Sequence, residues 1–273
     1  MDFIYFYLVF FMFPWLRTSS QLTSQAKPSH YLFISLTMVL QYLSVPSNHL
    51  HNHTSTCFIL HGLGDSGNGW ASIAKILSKK LPMTKFILPH ASSKPVTLNR
   101  GYIMPAWYDI IELNEGARQD KEGILQSVKE ILELVAEEEN RGIPRDKIVI
   151  GGFSQGGAIA LSTGLLFKSI QNLPENSSDF AGIMALGTYL PIKDFFEANK
   201  LVIPTKTPIY MCHGTSDRVI SHSWGQRSQE YLKKEIGCSD LKFESLEKVG
   251  HSIDENAIDS MIKFLQKVFN YEK

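Results

Sequence analysis

The chain has 273 residues, 44% of them apolar, and carries 27 basic against 27 acidic side chains. That length fits one large domain or two small ones. A net charge of zero excludes a nucleic-acid binder that works through a broad basic face. Nineteen glycines and twelve prolines are too few for a collagen-like or low-complexity chain. Cys57, Cys212 and Cys238 are odd in number, far apart and without a CxxC, so neither a disulfide framework nor a structural zinc site is indicated.

In chain order, the first fifty residues stand apart. They carry only Asp2, Arg17 and Lys27 as charges. Residues 3–16 are almost wholly apolar, and eight aromatics fall between Phe3 and Trp15. A second apolar run covers residues 31–45. Neither reaches the roughly 18–20 uninterrupted apolar residues of a membrane span. The first has the length of a signal-peptide core, with a cleavage site at Thr18-Ser19-Ser20. Its only preceding side-chain charge is the acidic Asp2, the wrong sign for a leader. Residues 1–53 are therefore expected to be an extension outside the chemistry, as a leader, an anchor or a disordered arm. Two sequons, Asn52-His53-Thr54 and Asn176-Ser177-Ser178, matter only for a secreted chain.

Beyond residue 54 the pattern becomes regular. Short apolar runs at 56–60, 85–88, 147–150, 180–186, 208–213 and 241–246 read as strands. Between them, residues 71–81, 122–139, 155–167, 223–236 and 255–269 read as helices. Ile124, Val128, Ile131, Leu132 and Val135 form one helical stripe. Buried strands alternating with helices predict an α/β fold, a mostly parallel central sheet with helices on both faces. In such sheets reactive groups sit on loops beyond the carboxyl ends of the strands.

Gly152-Phe153-Ser154-Gln155-Gly156 follows the strand at 147–150 and opens a helix. This is the G-x-S-x-G nucleophile elbow in its proper strand-to-helix setting. A serine hydroxyl needs a positioned base. On this fold the order is Ser, then an acid, then His. His251 lies in a loop after the last strand, whereas His222 opens a predicted helix and reads as a surface residue. Asp217 leaves the strand at 208–213 through a glycine turn; Asp240 and Glu247 read as surface charges. His213 reads as a core histidine bonded to backbone. The backbone N–H of Gln155 comes with the elbow as one oxyanion donor. The loop His61-Gly62-Leu63-Gly64-Asp65 leaves the first strand and offers Leu63 N–H as the second. The same loop lacks the Gly-Lys-Ser/Thr ending of a phosphate loop.

These segments together resemble the acyl-protein thioesterases and their lysophospholipase/carboxylesterase relatives, within the α/β-hydrolase fold. The matching text is FILHGLGDSGNGW at 58–70, PVTLNRGYIMPAWYDI at 95–110, GIPRDKIVIGGFSQGGA at 142–158, HGTSDRVI at 213–220 and GHSI at 250–253. The resemblance implies Ser154, Asp217 and His251 as a triad, with Leu63 and Gln155 as oxyanion donors. It implies a catalytic domain over 54–273, no metal or organic cofactor, and a cytoplasmic enzyme, the alternative being secretion or anchoring through residues 3–16. Two positions depart from the family pattern. Asn68 stands where His is common, and Gly187-Thr188 precedes Tyr189-Leu190-Pro191 where Ser is usual at the first place. Neither is expected to touch the triad.

The expected chemistry is acyl transfer to Ser154 and hydrolysis of the acyl-enzyme. The resemblance favours palmitoyl-type thioesters on proteins, with lysophospholipids or simple carboxylic esters as the second substrate class. It also leaves room for peripheral membrane contact. A hydrolase fold that only binds is disfavoured by the intact Ser, Asp and His. The apolar stretch 95–107 reads as a loop that lines an acyl channel, with Leu98, Met104 and Trp107 as lining residues and Leu190 as another.

Overall fold

The structure is a computed structural model, and it describes residues 40–47 and 53–271. The leader, the cleavage site and Asn52 of the first sequon lie outside the described residues. Seven strands form one sheet in the order β1-β3-β2-β6-β7-β8-β9. They are β1 (Tyr42–Val45), β2 (Ser55–Leu60), β3 (Thr84–Pro89), β6 (Ile148–Phe153), β7 (Gly182–Leu186), β8 (Ile209–Gly214) and β9 (Leu241–Leu246). All neighbours pair parallel except β1, which runs antiparallel to β3. Two further strands, β4 (Ser93–Val96) and β5 (Tyr102–Pro105), form a separate antiparallel hairpin. The stretch read as a loop is therefore folded. Its strands are four residues long and each holds a proline, which suits an edge and hides the strand signal.

Helices cover both faces. Helices α1 (Ala71–Lys80) and α6 (Glu255–Val268) pack Leu77, Met261 and Leu265 on one side, against Cys57, Phe86 and Tyr210. On the other side lie α2 (Lys121–Asn140), α3 (Gln155–Ile170), the short α4 (Lys193–Ala198) and α5 (His222–Lys234). The stripe predicted on α2 is buried as a unit. Helix α3 is buried through nearly its whole length, consistent with its lack of a polar face. Among the described residues no helix is long and apolar enough to cross a membrane.

Strand β1 lies upstream of the domain limit expected at residue 54. The compact unit runs Met38–Lys273, and Tyr42, Leu43, Ser44 and Val45 stand opposite Pro89, Leu88, Ile87 and Phe86. Its side chains alternate in the usual two-residue period. Leu40 and Tyr42 pack on one core, Leu43 and Val45 on the other. The sequence hides that alternation, because the polar residues Gln41 and Ser44 fall on opposite faces.

A buried carboxylate ties α2 to the sheet. Glu138, fully buried, accepts from Thr56 Oγ1 at 2.7 Å, Lys85 Nζ at 2.7 Å and Arg141 Nη1 at 2.6 Å. Burial alone would raise its pKa, but the bonds from Lys85, Thr56 and Arg141 outweigh burial and hold it down at about 2.

Two outcomes are expected. A chain beginning at Asn48 bares the β3 edge, and should melt earlier and self-associate, while one beginning at Met38 keeps its stability. Thermal melts with light scattering check this; equal melting of the two would remove β1 from the stable fold. The Glu138 carboxyl has a folded pKa below its ordinary value of 4.5. Its stabilisation is therefore complete above that value and lost as pH falls from 4.5 toward 2. Glu138→Gln should cost roughly 3 kcal/mol at neutral pH, and the gap from the parent should close in acid. Urea denaturation at a series of pH values measures the gap.

Candidate active site

Strand β6 does not stop at Ile150 but runs on through Gly151 and Gly152 to Phe153. Ser154 then turns the chain sharply, at φ 54° and ψ −121°, and α3 begins. That backbone is strained for any residue with a side chain, by about 1–3 kcal/mol. The neighbours hold it there. Ser154 N–H donates to Leu186 O at 2.8 Å, and Thr188 Oγ1 donates to Ser154 O at 2.7 Å. A methyl group on Gly156 would lie 2.3 Å from Leu60 O, and one on Gly152 would lie 2.3 Å from Gly156 O. Both positions need glycine because backbone meets backbone.

The turn leaves the Ser154 hydroxyl free of any helix-capping bond. It meets His251 Nε2 at 2.9 Å instead. His251 lies between β9 and α6, its ring 4.8 Å from that of Phe153. Its Nδ1 lies 2.7 Å from Asp217 Oδ2. Asp217 has no exposed side-chain surface, and its other oxygen accepts from Val219 N at 2.8 Å and Ile220 N at 3.0 Å. A buried carboxylate satisfied in this way fixes the imidazole with Nδ1 protonated and Nε2 turned to the serine. His213 backs the same acid. Burial keeps its pKa low, its Nε2 donates to Ile220 O at 2.8 Å, and Asp217 Oδ2 is 3.2 Å away.

The competing residues are occupied elsewhere. His222 Nε2 lies 2.8 Å from Ser245 Oγ. Asp240 pairs with Lys267 at 2.9 Å, and Glu247 is exposed.

The loop after β2 is held from below. Ala91 N–H donates to His61 Nε2 at 3.0 Å, so His61 Nδ1 carries the proton and donates to Gly62 O at 2.7 Å. Burial holds the His61 pKa down and the ring neutral. Within one trans peptide the carbonyl and the following N–H point opposite ways. Pulling the Gly62 carbonyl toward His61 therefore turns Leu63 N–H away from it. Gln155 is the first residue of α3, where a backbone N–H has no intrahelical acceptor. Its side chain is a second fixing device. Oε1 accepts from Trp107 N at 2.9 Å and Nε2 donates to Tyr108 O at 2.7 Å.

Ser154, His251, Leu63 and Gln155 all border one cavity of about 300 Å³. Its walls are mainly apolar, with Leu98, Tyr108, Ile110, Leu113, Tyr189 and Ile220 among them.

Residues 42–269 match the family model described as phospholipase/carboxylesterase. The chain belongs to that family. It is accordingly a hydrolase of carboxylic esters or thioesters. Acyl-protein thioesterase 1 of Yarrowia lipolytica is 40% identical over 218 residues, covering 79% of this chain and 92% of the relative. Acyl-protein thioesterase 1 of Candida albicans is 36% identical over 240 residues, covering 85% and 99%. Among solved structures, Zea mays acyl-protein thioesterase 2 superposes with a TM-score of 0.72 at 31% identity, over 84% of this chain and 99% of that one.

Of the four lining residues expected from sequence, the structure brings only Leu98 to the triad cavity. Trp107 is fully buried, and its indole N–H donates to His61 O at 2.8 Å, so it supports the loop from beneath. Met104 lies on the hairpin beside Asn99, whose Nδ2 is 3.3 Å from its sulfur. Leu190 borders a neighbouring cavity instead. The walls that sequence reasoning missed come from three loops: Tyr108, Ile110 and Leu113 from the stretch 108–113, Tyr189 after β7 and Ile220 after β8. Tyr108, Ile110 and Ile220 fall within the matching text, yet nothing in it marks them as wall. The departures from the family pattern also gain a setting. Asn68 is exposed. Contrary to expectation, Thr188 touches the triad through its bond to Ser154 O. Gly187 stands at φ 54° with the Phe153 ring where a Cβ would go, 2.9 Å away, so serine would be strained and crowded there.

Proposed function

We propose that this enzyme removes fatty acyl groups from cysteine side chains of proteins through a Ser154–His251–Asp217 triad. The observation that carries the reading is the unbroken hydrogen-bonded chain from Asp217 through His251 to Ser154 at the wall of an apolar cavity. Ser154 Oγ attacks the acyl carbonyl while His251 Nε2 takes its proton. The carbonyl oxygen becomes an oxyanion held by the N–H groups of Leu63 and Gln155. The tetrahedral adduct expels the thiol, which recovers the proton from His251, and leaves an acyl ester on Ser154. Water then attacks that ester with His251 again as base, releasing the fatty acid and restoring the serine. Asp217 stabilises the imidazolium throughout and keeps its own charge.

The acyl-protein thioesterase names of the relatives support the protein thioester as substrate. A cysteine leaving group has a pKa near 8.5 and needs little protonation. The same residues therefore suffice for oxyesters of lysophospholipids, the substrate class that the phospholipase/carboxylesterase description of the family favours. We place the enzyme in the cytoplasm, a reading supported by three buried, unpaired cysteines.

Contact with a lipid surface fits the same reading. The β4–β5 hairpin exposes Tyr102 and Ile103 by 75% and 69%, and Leu98, on the same hairpin, reaches the triad cavity. Apolar side chains held out beside the cavity suit an enzyme whose substrates carry acyl chains already in a membrane.

Ser154→Ala should abolish hydrolysis of acyl thioesters and of 4-nitrophenyl esters without lowering the melting temperature. Asp217→Asn should reduce kcat about 10⁴-fold, and its combination with His251→Ala should not multiply the losses. Substantial activity in Ser154→Ala would put the nucleophile elsewhere. Vesicles of phosphatidylcholine and phosphatidylserine should sediment the parent protein and retain less of Tyr102→Ser/Ile103→Ser. Equal retention would remove the hairpin from the membrane reading. Sugar on the exposed Asn176 in the native protein would overturn the cytoplasmic placement.

A further inference from the structure

The triad cavity ends against a second, larger one. The two, of about 300 and 700 Å³, share a single bordering residue, Tyr189. Tyr189 leaves β7 through Gly187-Thr188, the turn that also braces Ser154. Its ring is almost fully buried and is pinned from both sides. From the triad side, Tyr108 Oη lies 3.1 Å from Tyr189 Oη. From the second cavity, Gln119 Oε1 accepts from Tyr189 Oη at 3.2 Å, so the Tyr108 hydroxyl is the donor of the pair. Trp224, also on that side, stacks on the ring at 3.9 Å with planes 19° apart. Burial raises the pKa of both phenols, so neither ionises and neither bond is lost at ordinary pH.

A side chain fixed in this way acts as a wall. Moving it breaks two buried hydrogen bonds and a ring stack together. The wall also presents a polar end to an apolar cavity. The terminal methyl of an acyl chain gains nothing by reaching it and cannot displace it.

We propose that Tyr189 is the end wall of the acyl site and sets the longest acyl chain that the enzyme processes well. The space beyond it, bordered by Leu190, Ile192 and Phe195 together with the charged Arg118, Lys121 and Lys193, is volume that this ring denies to the substrate. The inference rests on the acyl-transfer reading of the triad above. It assigns Tyr189 to specificity, with Tyr108, Gln119 and Trp224 as the residues that position it.

The test compares kcat/KM for octanoyl and palmitoyl thioesters of one soluble thiol in the parent, Tyr189→Leu and Tyr189→Ala. Removing the ring joins the cavities, so the palmitoyl-to-octanoyl ratio should rise by about tenfold or more in Tyr189→Ala and by less in Tyr189→Leu. Where Tyr189→Ala does not fold, as judged by its melting curve, Tyr189→Leu decides alone, because it retains an apolar core side chain. An unchanged ratio in a folded variant that still hydrolyses the octanoyl thioester overturns the proposal. A parent protein that hydrolyses neither thioester overturns the acyl-transfer reading instead, and the two failures are thereby distinct.

Discussion

Where Gly156 passes the end of β2, backbone lies on backbone: its Cα hydrogen faces the carbonyls of Leu60 and His61 at a distance that no side chain could occupy. The first turn of α3 is thereby pressed against the end of β2. Two consequences follow from that one close approach. Ser154 is forced into a positive-φ turn, which lifts its hydroxyl clear of the helix. The loop from His61 to Leu63 is brought alongside the same helix start, so Leu63 and Gln155 border one cavity. Ser154 and the two residues proposed as oxyanion donors are thus positioned by the same contact, and the strain at Ser154 is sustained by packing around it.

The surrounding polar groups hold this geometry in a largely apolar interior, where an unpaired one would cost about 1–3 kcal/mol. Each does two things. His61 accepts from Ala91 and donates to Gly62, which fixes its own tautomer and the direction of the Leu63 amide. Gln155 bonds Trp107 and Tyr108 through its side chain, so the elbow and the cavity wall move together. His213 holds the Ile220 carbonyl, and the Ile220 amide in turn donates to Asp217. The burial that lowers the His213 pKa keeps a second imidazolium away from Asp217.

What could be read from the sequence follows the same logic. Ser154, Asp217 and His251 each leave the carboxyl end of a strand, in a fixed chain order, and one of them sits in a five-residue motif. Local pattern and chain order are both sequence properties, so the hydrogen-bonded arrangement of these residues was legible, as were the six parallel strands and the stripe on α2. Strand β1 was not, because Leu40, Tyr42, Leu43 and Val45 face two different cores and leave no polar alternation to detect. The β4–β5 hairpin was hidden by Pro95 and Pro105. Trp107 looked like a lining residue because it is large, apolar and near the motif. Its place under His61 is set by a hydrogen bond across 46 positions of the chain, which no local pattern encodes.

The cavity wall was the least legible part, and this has a physical cause. The reacting groups must meet within a few tenths of an ångström, so they are carried by the rigid ends of strands, whose spacing the sheet dictates. The wall only has to be apolar and the right shape. Side chains from the stretch 108–113, from Tyr189 and from Val219-Ile220 can supply that from any loop that reaches the place. Many sequences build an equivalent wall, so no spacing marks it. On the proposed acyl-transfer reading, selectivity for the acyl chain belongs to these wall residues rather than to Ser154, His251 and Asp217. Among them Tyr189 is held by Tyr108 of the same wall and by Gln119 and Trp224, which border the second cavity. A residue that lines a cavity for shape alone has no need of such partners. Three such partners are what the end wall proposed for Tyr189 requires.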